Sequence, residues 1–192
     1  MTKMRWTAAT IALLLSLGAC SPPAPQPRLY LLNPMAAPPP KQARGPLIAV
    51  PTVVIPEYLD RPEILARVGA HEVKPTDGDR WAERLSVNIT RVIAENLAIL
   101  KDSDSVVALP SRTDPNFQYE LAVEFSRFEV ERSGRAAVAG RWALRDIETR
   151  KEQRAGRFQM QEEPLAPGYE AAVAAMNRAL ERISREIAGA LP

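Results

Sequence analysis

Few residues in this 192-residue chain could carry covalent or acid–base chemistry, and their types and spacing narrow what that chemistry is. The one histidine, His71, follows Gly69 in a predicted turn. A Ser-His-Asp or Cys-His system would have to be built on it, whereas a turn position describes a solvent-exposed imidazole. Zinc sites of the usual kind need several His or Cys ligands, and one of each does not make a set. Gly134 and Gly140 stand six residues apart, a spacing that fits neither G-x-G-x-x-G nor a P-loop. Two carboxylate pairs, Glu162-Glu163 and Glu120/Glu124, have the residue types for general acid and base work, but a strand end and a wet sheet face account for them as well. No catalytic residue and no metal ligand is assigned, and the chain is expected not to be an enzyme. The remaining reactive group is the thiol of Cys20, the only cysteine, so no disulfide can form within one chain.

The surroundings of Cys20 say what that thiol is for. Lys3 and Arg5 precede an apolar run from Thr7 to Ala19, and 13 residues are too few to cross a bilayer core that needs about 20 in a helix. Residues 1–19 therefore read as a secretory signal peptide. Its end, Leu17-Gly18-Ala19-Cys20, resembles the bacterial lipobox, in which the thiol accepts diacylglycerol and cleavage exposes the cysteine for N-acylation. At roughly 0.8 kcal/mol per buried methylene, three acyl chains make an effectively permanent anchor. Ser21 follows where an inner-membrane lipoprotein would carry Asp, which favours the outer membrane, with the body facing the periplasm. Beyond this covalent lipid no cofactor is expected.

The elements downstream must position whatever the anchored body does. From Ser21 to Pro46 nine of 26 residues are proline, half of the 18 in the chain, which makes residues 20–46 a tether. In polyproline II at about 3.1 Å per residue, Ser21 to Pro27 spans only some 20 Å. Within it, Arg28 to Leu32 reads as a strand that docks on the body, and residues 47–192 as one α/β domain. There, Leu47 to Ile55 forms a strand interrupted by Pro51, and Glu63 to Val68 pairs with Glu72 to Lys74 around Gly69. Trp81, Leu85, Ile89, Val92 or Ile93, Leu97 and Leu100 recur at helical steps, with Asp77 or Asp79 as the cap. Alternation from Phe117 to Phe125, resuming on the other parity at Phe128 and Val130, predicts a long strand with a bulge near Ser126 or Arg127. Turns at Ser133-Gly134 and Asp146 to Arg150 complete a three-stranded antiparallel meander. Tyr169, Val173, Met176, Leu180, Ile183 and Ile187 mark a closing helix, with Glu181 set to pair with Arg185. The predicted fold class is α/β (α+β): a two-layer sandwich of a mixed, mainly antiparallel sheet with two long helices on one face.

Charge excludes one class of partner and leaves others open. Removing Lys3 and Arg5 from 25 basic residues leaves 23, equal to the acidic count, so bulk attraction to nucleic acid is not expected. A local basic excess runs from Arg135 to Arg157 and fits an anionic surface or the wet face of a sheet. The segment Pro56-Glu57-Tyr58-Leu59-Asp60-Arg61-Pro62 sets Tyr58 and Leu59 between two prolines, preorganised for contact or packed as a rigid crossover.

Lipobox, proline tether, Tyr30-Leu31-Leu32, Ile48-Ala49-Val50, Val54-Ile55 leading into Pro56 to Pro62, Arg80-Trp81-Ala82-Glu83, Arg141-Trp142 and an Ala-rich closing helix through Met176 together resemble the ABC-type transport auxiliary lipoproteins, the PqiC family. The resemblance covers nearly the whole mature chain, with Arg84 standing where that pattern has proline. It implies a fold similar to the N-terminal domain of TolB. It also implies an outer-membrane lipoprotein that works with a periplasm-spanning MCE-domain protein and inner-membrane transport components in lipid traffic. The body would dock or gate the conduit at the membrane, with Tyr58, Leu59, Asp60 and Arg61 as the expected partner contact and Cys20 as the lipidation site. A tubular partner would make a homo-oligomeric ring reasonable. The alternative is an envelope-integrity or peptidoglycan-associated binding lipoprotein of TolB-like kind.

Overall fold

Alternating apolar and polar residues from Tyr119 to Glu131 build the longest strand of the protein, and the other elements assemble on its two edges. The computed structural model describes residues 26–37, 42, 45–111 and 116–192; the leader expected at residues 1–19, and Cys20, lie outside them. In chain order the elements are β1 (Arg28–Tyr30), β2 (Ile48–Val50), a 3-10 turn (Glu57–Leu59), β3 (Glu63–Arg67), β4 (Val73–Trp81), α1 (Leu85–Lys101), β5 (Val106–Ala108), β6 (Tyr119–Glu131), β7 (Ala136–Asp146), β8 (Glu152–Glu162) and α2 (Tyr169–Ala190).

One edge of β6 carries the antiparallel meander β6–β7–β8, whose two ladders are the longest in the sheet. The other edge is shared. Its start pairs in parallel with β2, which continues to β5, and its end pairs in parallel with β3, which continues through β4 to β1. The sheet is thus mixed and has eight strands. Its register slips between Phe125 and Arg127, so Phe128 and Val130 rejoin Leu121, Val123 and Phe125 on the buried side. The bulge legible in the alternation is the device that keeps 13 residues of strand facing one core.

The helices close that core. Leu85, Ile89, Val92, Ile93 and Leu97 are buried along α1, and Val173, Met176, Leu180, Ile183 and Ile187 along α2. α2 crosses β7 and β8, while α1 lies against α2 and β5, giving the two-layer α/β sandwich. Between the layers Phe125 meets Phe128 and Phe158 edge to face, with ring centroids 5.4 and 5.2 Å apart. Glu181 pairs with Arg185 on the outer face of α2 at 2.5 Å.

Two expectations are corrected here. β4 runs on through Asp77, Gly78 and Asp79 to Trp81, so neither aspartate caps α1 and Trp81 opens no helix. Partners on both sides hold this stretch extended: Trp81 donates its backbone N–H to Pro62 at 2.7 Å, and β1 pairs with residues 79–81. Asp79 is instead buried against Arg28, whose Nη2 donates to Oδ2 at 3.0 Å. The short strand β5, which carries no alternation long enough to read, is added in parallel to β2.

The tether segment docks. Beyond β1, Leu32 is fully buried, and the side chain of Asn88 on α1 accepts from its N–H at 2.7 Å and donates to its carbonyl at 3.0 Å. Asn96 accepts from the Met35 N–H at 2.7 Å, and Asn177 of α2 from that of Asn33 at 3.1 Å. An extended chain without a full strand partner needs such side-chain acceptors for its backbone donors.

Two glycines mark where neighbouring strands of the meander crowd each other most. A Cβ at Gly140 would strike the Glu124 carbonyl and lie 2.6 Å from Phe158 Cζ, while one at Gly156 would lie 2.7 Å from the Trp142 indole nitrogen. Gly140→Ala should destabilise by about 3 kcal/mol or more and Gly156→Ala by about 1–2 kcal/mol, because an indole can shift where a backbone carbonyl cannot. Thermal unfolding of the two variants checks the order; equal melting temperatures would contradict it.

Candidate functional site

The loop between the two prolines of residues 56–62 is built as a rigid corner. Its 3-10 turn closes with the Leu59 N–H on the Pro56 carbonyl at 2.9 Å and the Asp60 N–H on the Glu57 carbonyl at 3.1 Å. Leu59 points into the core and is 4% exposed, so its side chain anchors the loop and is not a surface contact, which corrects the expectation for that residue. Tyr58 remains 39% exposed along its ring.

The Tyr58 hydroxyl donates to Glu129 Oε1 at 2.5 Å, and this carboxylate, 1% exposed on β6, is the electrostatic centre of the corner. Arg67 of β3 grips it with both Nε and Nη2 at 2.6 Å, and Arg127 adds Nε at 2.9 Å. Burial pushes the Glu129 pKa up, but the hydrogen bonds from Arg67, Tyr58 and Arg127 outweigh it and hold the carboxyl down to about 2. Burial and the same carboxylate push the Tyr58 phenol up to about 12, and Arg67 is held still more firmly protonated by its bond to Glu129. Tyr58 is therefore a neutral donor and Glu129 a fixed anion across the physiological range. Neither is poised to exchange a proton.

The far side of the same loop meets the start of α1. Arg84, at the N-cap position, donates to Asp60 Oδ2 at 2.8 Å, and Arg61 donates to Glu63 at 2.9 Å. Between them lies a concavity of about 350 Å³, walled by Asp60, Arg61 and Pro62 on one side and Trp81 to Arg84 on the other. Trp81 and Pro62 give it an apolar floor, and Asp60, Arg61, Glu83 and Arg84 a rim of both signs. Such a surface can seat a side chain or a short peptide segment of a partner through one buried apolar contact and several charged ones.

Of the expected contact residues, then, Tyr58, Asp60 and Arg61 stand together at this corner. Trp81 to Arg84, from the end of β4 and the start of α1, join Asp60 and Arg61 there. Sequence reading missed Glu129, Arg67 and Arg127; the signal available was the alternation Arg127-x-Glu129-x-Glu131 on the outward parity of a strand otherwise facing the core.

The remaining candidates are brought to no common centre. Glu162 faces Arg182 and Arg178, Glu163 faces Arg135, Glu124 faces Arg141 and Glu120 faces Arg145. His71 is exposed in the β3–β4 turn. Among the described residues no group of three His, Cys, Asp or Glu is gathered to hold a metal ion. Of the basic run on β7 and β8, Arg141, Arg145 and Arg157 lie on the sheet face opposite the helices, while Trp142 and Leu144 point inward as the alternation predicts and Arg154, the ladder partner of Leu144, shares their side. The first three arginines rim a shallow concavity of about 560 Å³ over Val54, Ala122, Ala143 and Ala155.

Residues 30–188 match the family described as ABC-type transport auxiliary lipoprotein component. No curated protein matches the chain. Among solved structures, an uncharacterized protein superposes with a TM-score of 0.72 at 18% identity, covering 88% of this chain and 100% of its own. A Xanthomonas campestris protein assigned to the DUF330 family does so with a TM-score of 0.65 at 18% identity, covering 85% and 91%. These likenesses establish a shared fold. A PelC dodecamer from Paraburkholderia phytofirmans aligns with a TM-score of 0.46 at 15% identity over 77% of this chain and 95% of that one.

The Glu129 cluster generates a pH dependence whose sign is fixed. A carboxyl held near 2 when folded and near its ordinary value of 4.5 when unfolded stabilises the fold above about pH 4.5, and that stability drains away as pH falls toward 2. The full effect is about 3 kcal/mol. Glu129→Gln should remove this acid limb and cost about 3–5 kcal/mol at neutral pH by leaving Arg67 and Arg127 uncompensated. Urea melts of both proteins from pH 3 to 7 test it; parallel acid limbs would assign the pH dependence elsewhere.

Proposed function

Because the chain belongs to the ABC-type transport auxiliary lipoprotein components, a family of transport accessories and not of enzymes, we propose that it docks a periplasmic conduit at the outer membrane as the non-catalytic lipoprotein of an intermembrane lipid transport system. Cys20 carries the diacylglycerol and N-acyl chains that fix the body to the membrane. The partner at the conduit is an MCE-domain protein linked to inner-membrane transport components, and several copies of the body gather around it.

One observation carries this reading. The Pro56–Pro62 loop and the Arg80–Glu83 segment, the two parts of the sequence most specific to the family resemblance, converge: Asp60, Arg61 and Pro62 of the one and Trp81, Ala82 and Glu83 of the other wall one concavity. Each is locked to the body by its own means: Tyr58 by the buried Glu129, Leu59 by the core, Asp60 by Arg84 and Trp81 by the Pro62 carbonyl. Rigidity of this kind lowers the ordering cost of association. The ionic partners also make the corner selective more than sticky, since rim charges steer and discriminate.

The proposal needs no reactive group in the body. Its requirement is a surface held at a fixed height above a bilayer, which a short proline-rich tether supplies by raising the local concentration of the docking site at the membrane.

Replacing Tyr58 and Asp60 together by Ala should weaken co-purification of the MCE-domain protein at least about tenfold, the loss of roughly 1.4 kcal/mol expected of a good interface residue. The fold should survive, since Glu129 keeps its arginine partners. Undiminished co-purification with an unchanged melting curve would place the contact elsewhere. Cys20→Ser should leave the protein unacylated and shift it from the membrane to the periplasmic fraction, read by intact mass and fractionation.

A further inference from the structure

We propose that an apolar strip at the corner of β1 and α1, made of Leu29, Leu31 and Val87, is the face this body lays on the lipid surface. The inference rests on the reading that Cys20 is acylated and deepens it by assigning the orientation of the anchored body.

The strip is exposed: Leu29 by 63%, Leu31 and Val87 by 42% each. Single exposed leucines need no explanation, but these sit together. Leu29 and Leu31 share the outward parity of the docked strand. Asn88 clasps the backbone of Leu32 from both sides, which brings Val87, the preceding residue on α1, to the same corner. Arg28 precedes Leu29 in the chain and Arg80 stands beside it as its partner in the β1–β4 ladder, with side chains 69% and 49% exposed. Each guanidinium has an acidic partner yet keeps further N–H donors free in kind for headgroup oxygens, as arginines at a bilayer interface do.

What decides the occupant is where the tether arrives. Seven residues lie between Cys20 and Arg28, and a fully extended chain of those eight steps spans at most about 28 Å. From Arg28 onward the chain belongs to the body, through the β1–β4 ladder, the Arg28–Asp79 pair and the buried Leu32. Leu29 is thus the residue next to the point at which the tether is made fast. The end of the body that it occupies is the end drawn to the membrane. The β7–β8 turn, with Ile147 exposed by 43%, lies on the far side of the sheet, since β1 and β8 are edge strands on opposite sides of β6.

The test uses the full-length acylated protein, purified and reconstituted into phosphatidylethanolamine/phosphatidylglycerol vesicles containing nitroxide-labelled lipid. An environment-sensitive fluorophore is attached to Leu29→Cys, Leu31→Cys or Ile147→Cys; acylation consumes the native thiol, so only the introduced one reacts. The expected result is a blue shift and strong quenching at positions 29 and 31 and neither at 147, in variants whose thermal unfolding matches that of the parent. An acylated protein with unquenched probes at 29 and 31, or with equal quenching at all three sites, overturns the proposed face while the anchor stands. The first of those outcomes gives the strip to a protein partner. An intact mass without acyl chains overturns the anchor reading, and this inference with it.

Discussion

A carboxylate that stays ionised inside a sheet demands counter-charge and hydrogen-bond donors from whatever packs over it, and Glu129 draws them from three separate places. Arg67 reaches it from β3, Arg127 from its own strand and the Tyr58 hydroxyl from the Pro56–Pro62 loop, 71 residues away in the chain. Burying an ion costs several kcal/mol unless its partners are well placed, so the two arginines hold the carboxylate to its strand and neighbour, and the Tyr58 hydrogen bond draws the loop onto it. That constraint ties the most irregular part of the surface to the most regular part of the sheet. It explains how a loop with few backbone bonds of its own can present a fixed corner.

The branching of β6 is what places the corner. A strand of 13 residues is longer than either partner on its outer edge, and β2 and β3 share that edge, one at each end. The chain between β2 and β3 must therefore travel along β6, bridging to its backbone at Val54 opposite Glu124 and to its Glu129 side chain through Tyr58, and the proline-bounded loop completes that passage. Proline suits it because an edge crossing has no use for a regular ladder of donors. The loop ends where β3 begins, beside β4, and β4 leads directly into α1. Convergence of residues 56–62 with residues 80–84 follows from this connectivity.

The attachment of the tether follows the same logic at the other side of β4. Three residues of parallel ladder are a weak hold, but a buried ion pair and a buried leucine add to it, and three asparagines on the helices accept from or donate to the passing backbone. Asparagine can do both at once, which is why a single side chain satisfies both the N–H and the carbonyl of Leu32. The docked segment thereby ceases to be linker. It becomes part of the body, so the free segment ahead of it is shorter than the proline-rich stretch, a mechanical property and not a chemical one.

How much of this was legible depends on the range over which each feature is decided. Side-chain alternation and helical period are local, so the meander, the bulge at Ser126, the closing helix with its Glu181–Arg185 pair and the inward Trp142 and Leu144 could be read from the residues alone. The scarcity of histidine, the lone cysteine behind Leu17-Gly18-Ala19 and the proline-rich stretch are likewise properties of the chain itself, and they fixed the expectation of an anchored, non-catalytic protein. Other features were decided only when distant segments met. Asp79 reads as a helix cap until β1 and β3 supply ladder partners that make it strand. Leu59 reads as a loop surface until the core receives it, and the burial of Glu129 is decided only when Tyr58 and Arg67 cover it. The physical reason is that backbone pairing and charge compensation are satisfied by whatever lies nearest in space, and no period within the sequence records which segment that is.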